Sequence, residues 1–167
     1  ACAQSAPTKS NLQQYSIIAV RDQDTRQKIA DLVPSMPWMA DAPVFLVFLG
    51  DVRRIPRLAD SHDHDYANNN ADTFMNACVD AALAMQMFIV AAESAGLGCC
   101  PISYVRNRID DFAELLSLPD GVFPIAGLPV GWPAAPGDVS MRLPQNVVVH
   151  RERYDDANMV SNVTDYD

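Results

Sequence analysis

The stretch that decides the fold is "DAALAMQMFIVAAESAGLGCCPISYVRN", residues 80–107, in which a long apolar segment meets a glycine turn and a second apolar segment. The helical pattern of apolar residues begins upstream and covers residues 71–95. Its charged residues are Asp72, Asp80 and Glu93. Gly96 follows directly, as a glycine commonly does where a helix ends. The stretch therefore predicts one long helix, followed at once by a strand-like segment, "LGCCPISYV".

This long helix lacks a wide polar face. A helix that is apolar nearly all round must be covered nearly all round. A domain of 167 residues would struggle to enclose it, so we expect part of its surface to face a partner subunit.

The flanking segments mix strands and helices without a regular βαβ repeat. "YSIIAVR" at residues 15–21 is rich in β-branched residues and predicts a strand, and "APVFLVFLGD" predicts a strand buried on both faces. Between them, "DQDTRQKIADLV" predicts a helix that Asp22 caps and Pro34 ends. Further along, the sequence predicts a short helix in "IDDFAELLSL", a buried strand in "GVFPIAGLPVGW", and a last strand or an extended tail in "QNVVVHRERY". This order favours an α+β fold.

Composition excludes several classes of partner. The net charge is −9 and no basic stripe is present, which argues against nucleic acid and anionic membranes as partners. No apolar run looks long and charge-free enough to span a bilayer, which takes about 20 residues. The four cysteines are interpreted as small buried residues of a protein in a reducing, cytoplasmic compartment.

Local motifs for catalysis or metal binding are weak. "SHDHD" places His62 and His64 among acidic residues, but alternate residues of a flexible loop hold no fixed geometry, so a solvated loop is favoured and no metal is expected. No GxSxG motif is present. "TKSNLQQYS", from Thr8 to Ser16, gathers hydroxyls, amides and a lysine before a strand, and such a loop can hydrogen-bond a polyol, a phosphate or a heteroaromatic edge. An ordinary polar loop has the same composition.

Taken together and in order, five segments resemble the FMN-dependent nitroreductases, in particular the oxygen-insensitive NADPH nitroreductase and flavin reductase branch. They are "APTKSNLQQYSIIAVRD", "APVFLVFLGDVRR", "DAALAMQMFIVAAESAGLGCCPISYVRN", "LSLPDGVFPIAGLPVGWP" and "MRLPQNVVVHRERY". The resemblance implies an α+β, nitroreductase-like fold with a central, mainly antiparallel sheet flanked by helices. It also implies a homodimer that is formed through the long central helix and binds FMN between its subunits.

The resemblance also implies the residues of the cofactor site. Residues from the early polar loop, from the segment beside the flavin ring and from the phosphate end inherit this role: Thr8, Ser10, Asn11, Gln13, Met36, Pro101, Ile102, Ser103, Tyr104 and Arg142. The implied activity is an NAD(P)H oxidoreductase that reduces nitroaromatics, quinones or free flavin by ping-pong hydride transfer. No catalytic side chain is implied, because the flavin carries the chemistry.

The sequence departs from the family pattern at three places. The Arg-Ser-x-Arg segment that grips the phosphate lies upstream of residue 1, Ser140 stands where a lysine is usual, and the C-terminal extension is absent or cut short. We therefore expect a nitroreductase-like domain over residues 1–154 that lacks the usual N-terminal segment, and an acidic tail over residues 155–167. A fragment of a normal enzyme is the favoured interpretation. A flavin-binding or flavin-free non-catalytic member is the alternative.

Overall fold

A computed structural model of the chain describes residues 1–164 and 166. The strands are β1 (Tyr15–Val20), β2 (Val44–Asp51), β3 (Gly98–Cys99) and β4 (Val122–Gly131). The helices are α1 (Gln23–Leu32), α2 (Arg54–Ser61), α3 (Ala71–Ser94), α4 (Ile109–Leu115), α5 (Gln145–Val148) and α6 (Met159–Asn162). The strands form one sheet in the order β1-β2-β4-β3, and each neighbouring pair is antiparallel. The predicted α+β class with an antiparallel sheet is confirmed.

The chain divides into two compact units, Ala1–Ala134 and Ala135–Asp167. The first unit contains the whole sheet and helices α1 to α4. The second contains α5 and α6, each a single turn of four residues. The predicted boundary between residues 154 and 155 remains a prediction.

Strand β2 separates two hydrophobic cores. Phe45, Val47 and Leu49 belong to one core, which we call the first core, and Leu46 and Phe48 to the other, the second core. Successive residues of a strand point to opposite faces, so this alternation places one core on each side of the sheet. The prediction that β2 is buried on both faces is confirmed.

The two cores are covered by different helices. Ile29 and Val33, at the end of α1, join Phe112 of α4 in the first core. Ala81 and Ala84 of α3 join the second core, and both are fully buried. Small side chains at these positions let the backbone of α3 approach the sheet closely.

The face of α3 that points away from the sheet is apolar and exposed. Met75, Val79, Leu83, Met87 and Val90 are each between 37% and 62% exposed. Their spacing of three or four residues places them in one stripe along the helix, which we call the α3 stripe.

Helix α3 corrects the expectation that no apolar run could span a bilayer. By length and composition alone it could do so, since its most apolar window has a mean hydropathy of 1.6. One such helix is weak evidence, because a core helix of a soluble protein meets the same conditions.

Three local expectations were wrong or incomplete. The strand-like segment after Gly96 forms only the two residues of β3, because Pro101 has no N–H to continue the ladder. Helix α2 was not predicted. "QNVVVHRERY" begins with the single turn α5 instead of a strand, and one turn is too short for apolar periodicity to reveal.

Gly127 of β4 lies where two core side chains leave no room for a Cβ atom. A Cβ built there would lie 2.4 Å from Cζ of Phe45 and 3.1 Å from Cγ1 of Val105. Both neighbours are buried in the first core and have little freedom to move.

We expect Gly127→Ala to lower the free energy of unfolding by about 1–3 kcal/mol, because it overpacks this core. Urea unfolding followed by circular dichroism would measure the change. Gly137→Ala is the matched control, since no atom lies within 4 Å of a Cβ at that position. Equal unfolding midpoints for the two variants would contradict the expectation.

Candidate functional site

The polar loop before β1 has an unusual backbone. Ser10, Asn11 and Gln13 have φ angles of 51°, 57° and 51°, in the left-handed region that non-glycine residues seldom occupy. All three side chains are exposed, and Thr8 at the start of the loop is half-buried. Left-handed residues of this kind cost about 1–3 kcal/mol each, so surrounding contacts must hold the loop in place.

One buried carboxylate holds both ends of this loop. Oδ1 of Asp80 accepts a hydrogen bond from the backbone N–H of Lys9 at 3.0 Å, and Oδ2 accepts one from the N–H of Gln14 at 2.9 Å. Asp80 lies in the middle of α3 and is 1% exposed. Its charge is therefore balanced by main-chain donors of the loop.

The far end of the loop is also held by an arginine at the start of α2. Nη1 of Arg54 donates to the carbonyl oxygen of Gln13 at 2.7 Å, and Nη2 donates to that of Tyr15 at 3.2 Å. Asp51 fixes this arginine through an ion pair of 2.9 Å. Asp51 is itself buried, and its other oxygen accepts the N–H groups of Arg53 and Arg54.

We call Asp80, Arg54 and Asp51 the loop clamp. Sequence reasoning missed all three as functional residues. The available signal was the charge of Asp80 in the middle of an apolar helix, where burying a carboxylate without partners is costly.

The segment after Pro101 presents free backbone donors on a rigid support. Ile102 is buried and exchanges two hydrogen bonds with Gly127, at 2.8 and 2.9 Å. The N–H groups of Ser103 and Tyr104, which follow, donate to no acceptor among residues 1–164 and 166. The side chains of Pro101 and Ser103 are exposed. Two backbone donors of this segment are therefore left without a partner in the part of the chain that the structure describes.

Two other predicted site residues lie close to this segment. Tyr104 and Met36 are both half-buried, and both pack against the first core, of which Ile102 is a member. The first core thus gathers Met36, Ile102 and Tyr104.

The loop and this segment lie at opposite edges of the sheet. Gln13 lies two residues before Tyr15, which is the first residue of β1, whereas Ile102 pairs with β4 from the far side. Strands β2 and β4 lie between them. Three strand spacings of about 4.8 Å separate these edges by about 14 Å. Within the first unit, the predicted site residues therefore form two separate groups.

Arg142 belongs to the second unit. Its guanidinium donates to the carbonyl oxygen of Ser140 at 2.8 Å, and also to the Ser140 hydroxyl. The side chain lines an open cleft together with Leu143, Val148 and Tyr166 of the same unit. Arg142 is exposed.

The cysteines correct one expectation. Cys2 and Cys100 are exposed, and only Cys78 and Cys99 are partly buried, so the prediction of four buried thiols was wrong. Burial raises the pKa of the Cys78 and Cys99 thiols above the ordinary value. All four thiols are free.

The histidine-containing loop after α2 offers no metal geometry. In the part of the chain that the structure describes, no group of three or more His, Cys, Asp or Glu side chains could hold a metal ion.

Comparison with known proteins gives consistent results. A family model described as "Nitroreductase family" matches residues 1–132. The chain is 40% identical over 167 residues to an FMN reductase [NAD(P)H] of Bacillus subtilis (strain 168), which covers 98% of this chain and 67% of the relative. It is 37% identical over 154 residues to an oxygen-insensitive NADPH nitroreductase of Salmonella typhimurium. This match covers 92% of this chain and 62% of the relative.

Solved structures agree. NfrA2 of B. megaterium has a TM-score of 0.95 and 37% identity, and the match covers 99% of this chain and 68% of that one. The NADPH:FMN oxidoreductase from Vibrio harveyi, complexed with NAD+, has a TM-score of 0.90 and 31% identity over 99% of this chain and 70% of that one. The chain spans about two thirds of the length of the relatives it matches.

Proposed function

Because the chain belongs to the nitroreductase family, we propose that it is part of an FMN-dependent NAD(P)H oxidoreductase that reduces nitroaromatics, quinones or free flavin. The names of its relatives, FMN reductase and NADPH nitroreductase, support this activity. The observation in this chain that carries the proposal is the pair of free N–H groups at Ser103 and Tyr104, held rigidly beside Gly127. A cytoplasmic location is part of the proposal and agrees with the four free thiols.

The residues present fit an FMN group. The N–H groups of Ser103 and Tyr104 are donors that suit the acceptor atoms on the edge of a flavin ring. The exposed Ser10, Asn11 and Gln13 offer hydroxyl and amide groups to its polar parts. The exposed guanidinium of Arg142 suits a phosphate through its planar fork. When bound, FMN supplies the redox chemistry, with hydride from NAD(P)H and electrons to the acceptor.

The protein's own contribution is binding and orientation. The two hydrogen bonds between Ile102 and Gly127 hold the N–H groups of the next two residues in place before a ligand binds. The binding free energy is therefore not reduced by the entropy cost of ordering this backbone. No side chain is required to take up or release a proton in this scheme.

The alternative is a flavin-binding or flavin-free non-catalytic member of the family. Ser140 favours it, because the phosphate of FMN carries a charge of about −1.5 to −2 and the position that usually holds a lysine provides no cation.

The test is the absorbance spectrum of the purified chain, titrated with FMN under anaerobic conditions and then with NADPH. We expect binding with a yellow colour, followed by bleaching on addition of NADPH. Colour without bleaching would favour the non-catalytic alternative. No binding at all would contradict the proposed function for this chain.

We also propose that the protein is a homodimer whose cofactor site combines residues of two copies. Two observations support this. The two groups of site residues lie at opposite edges of the sheet in one protomer. The α3 stripe is an exposed apolar surface of the kind that contacts another protein. A second copy that covers the α3 stripe would bury these side chains.

We expect Leu83→Glu, in the middle of the α3 stripe, to convert the dimer to monomers, because it places a charge in an apolar contact. Sedimentation equilibrium would measure the mass, and FMN titration would show the coupled loss of binding. Leu58→Glu is the matched control, since Leu58 is 50% exposed on α2, outside the α3 stripe. Equal masses for the two variants would exclude the α3 stripe as the interface.

The free donor of Ser103 can be removed without disturbing the fold. The φ angle of Ser103 is −83°, close to the value that proline requires. We expect Ser103→Pro to weaken FMN binding about tenfold. Proline has no N–H to donate, and its ring occupies the space in which the acceptor atom would lie. Quenching of FMN fluorescence would measure the dissociation constant. Ser103→Ala keeps the N–H and should bind as the unmodified protein does; if Ser103→Pro also does so, this N–H has no part in binding.

A further inference from the structure

We propose that Asp80 is a positioning residue for the cofactor site: its buried carboxylate holds the left-handed loop, residues 9–14, in the conformation that presents Ser10, Asn11 and Gln13 to the ligand. This inference rests on the proposed function. It assigns a role in the cofactor site to a residue that lies 66 positions from Gln14 in the sequence and belongs to a helix with no other part in the site.

The two carboxylate oxygens of Asp80 have different partners. Each oxygen accepts one N–H, and the two donors, Lys9 and Gln14, stand at the two ends of the loop. A single rigid group therefore sets the distance between the ends. The three left-handed residues lie between these two points, so the two bonds restrict the backbone conformations open to them.

Burying a carboxylate at position 80 costs free energy. Asp80 is 1% exposed, and its neighbours along the buried face of α3, Ala77, Ala81 and Ala84, are apolar and fully buried. An apolar side chain at position 80 would avoid the loss of hydration that a buried charge suffers. What an apolar side chain cannot do is accept the two loop amides. The carboxylate is thus explained by the loop and not by the packing of the helix.

Within residues 9–14 the clamp touches only main-chain atoms, and its nearby side-chain contacts are with the hydroxyl of Ser16 in β1. Asp80 accepts from N–H groups, and Arg54 donates to the carbonyl oxygens of Gln13 and Tyr15. The side chains of Ser10, Asn11 and Gln13 remain exposed. Holding the backbone while leaving these side chains free is the arrangement that a binding loop needs, because a preformed loop binds without paying an ordering cost.

The test compares Asp80→Asn with Asp72→Asn, and it measures the protein both without and with FMN. Asparagine keeps the shape of the side chain, but one of its two polar atoms is a donor that would face a loop N–H. One hydrogen bond is lost and the charge is removed. Asp72 is exposed in the first turn of the same helix, so its variant makes the same chemical change away from the loop.

The first readout needs no cofactor. We expect hydrogen exchange at the amides of Lys9 and Gln14 to become about tenfold faster or more in Asp80→Asn, since a hydrogen bond to a charged group is lost, and to be unchanged in Asp72→Asn. The second readout is FMN titration, in which we expect Asp80→Asn to raise the dissociation constant about tenfold or more, because the competent loop conformation is less populated.

The outcomes separate the two proposals. If the unmodified chain binds FMN and Asp80→Asn binds it equally well, Asp80 has only a structural role and this inference is overturned. If the unmodified chain binds no FMN, the proposed function fails first. If Asp80→Asn does not fold, hydrogen exchange in the unmodified protein is the test. The reference is the amide of Gln13, which has no acceptor among the described residues. If the amides of Lys9 and Gln14 exchange as fast as this one, the inference is overturned.

Discussion

The burial of β2 on both faces is the constraint on which the rest of the structure depends. Its side chains alternate between the two cores, so each face of the sheet needs its own cover. Helices α1 and α4 contribute to the first core, and α3 covers the second. The alanines of α3 face the sheet together with Met85, Phe88 and Ile89, and the apolar side chains of the α3 stripe point outward. The exposed α3 stripe is thus a consequence of how the sheet is covered.

The polar groups of the first unit show a second pattern. Asp80 and Asp51 are buried, and each accepts hydrogen bonds from main-chain N–H groups. Buried carboxylates are tolerated in proteins when such donors surround them. Here the donors belong to backbone that has no place in the sheet, namely the loop before β1 and the turn that begins α2. The two buried carboxylates therefore fix the backbone of these two segments, which packing in the hydrophobic cores does not fix.

The sequence predicted the elements whose pattern is local and repeated. The apolar run of β2, the capped helix after Asp22 and the long helix α3 could all be predicted from periodicity and from terminal residues. Helix α2 was missed, because its apolar residues Ile55, Leu58 and Ala59 span little more than one turn and Pro56 stands among them. The segment after Pro101 was only partly predicted, because its apolar composition suits a strand while its proline interrupts the ladder.

The candidate site was predictable to a smaller degree. The family resemblance identified the exposed loop residues and the segment around Ile102, but it said nothing of what holds them. The loop clamp joins residues far apart in the chain, such as Lys9 and Asp80, and no spacing or local pattern links them. The left-handed backbone of Ser10 was equally hidden, because serine carries no marker for that conformation, whereas asparagine, as at position 11, adopts it more readily.

Pro101 has a further consequence for the solubility of the protein. An unpaired sheet edge is a template for another strand, and uncontrolled pairing of such edges leads to aggregation. Here the edge strand is two residues long, ends before a proline, and gives way at Tyr104 to a 3-10 turn that no strand can join in register. The same few residues that leave two amides open to a small molecule thus close this edge to fibril-like growth.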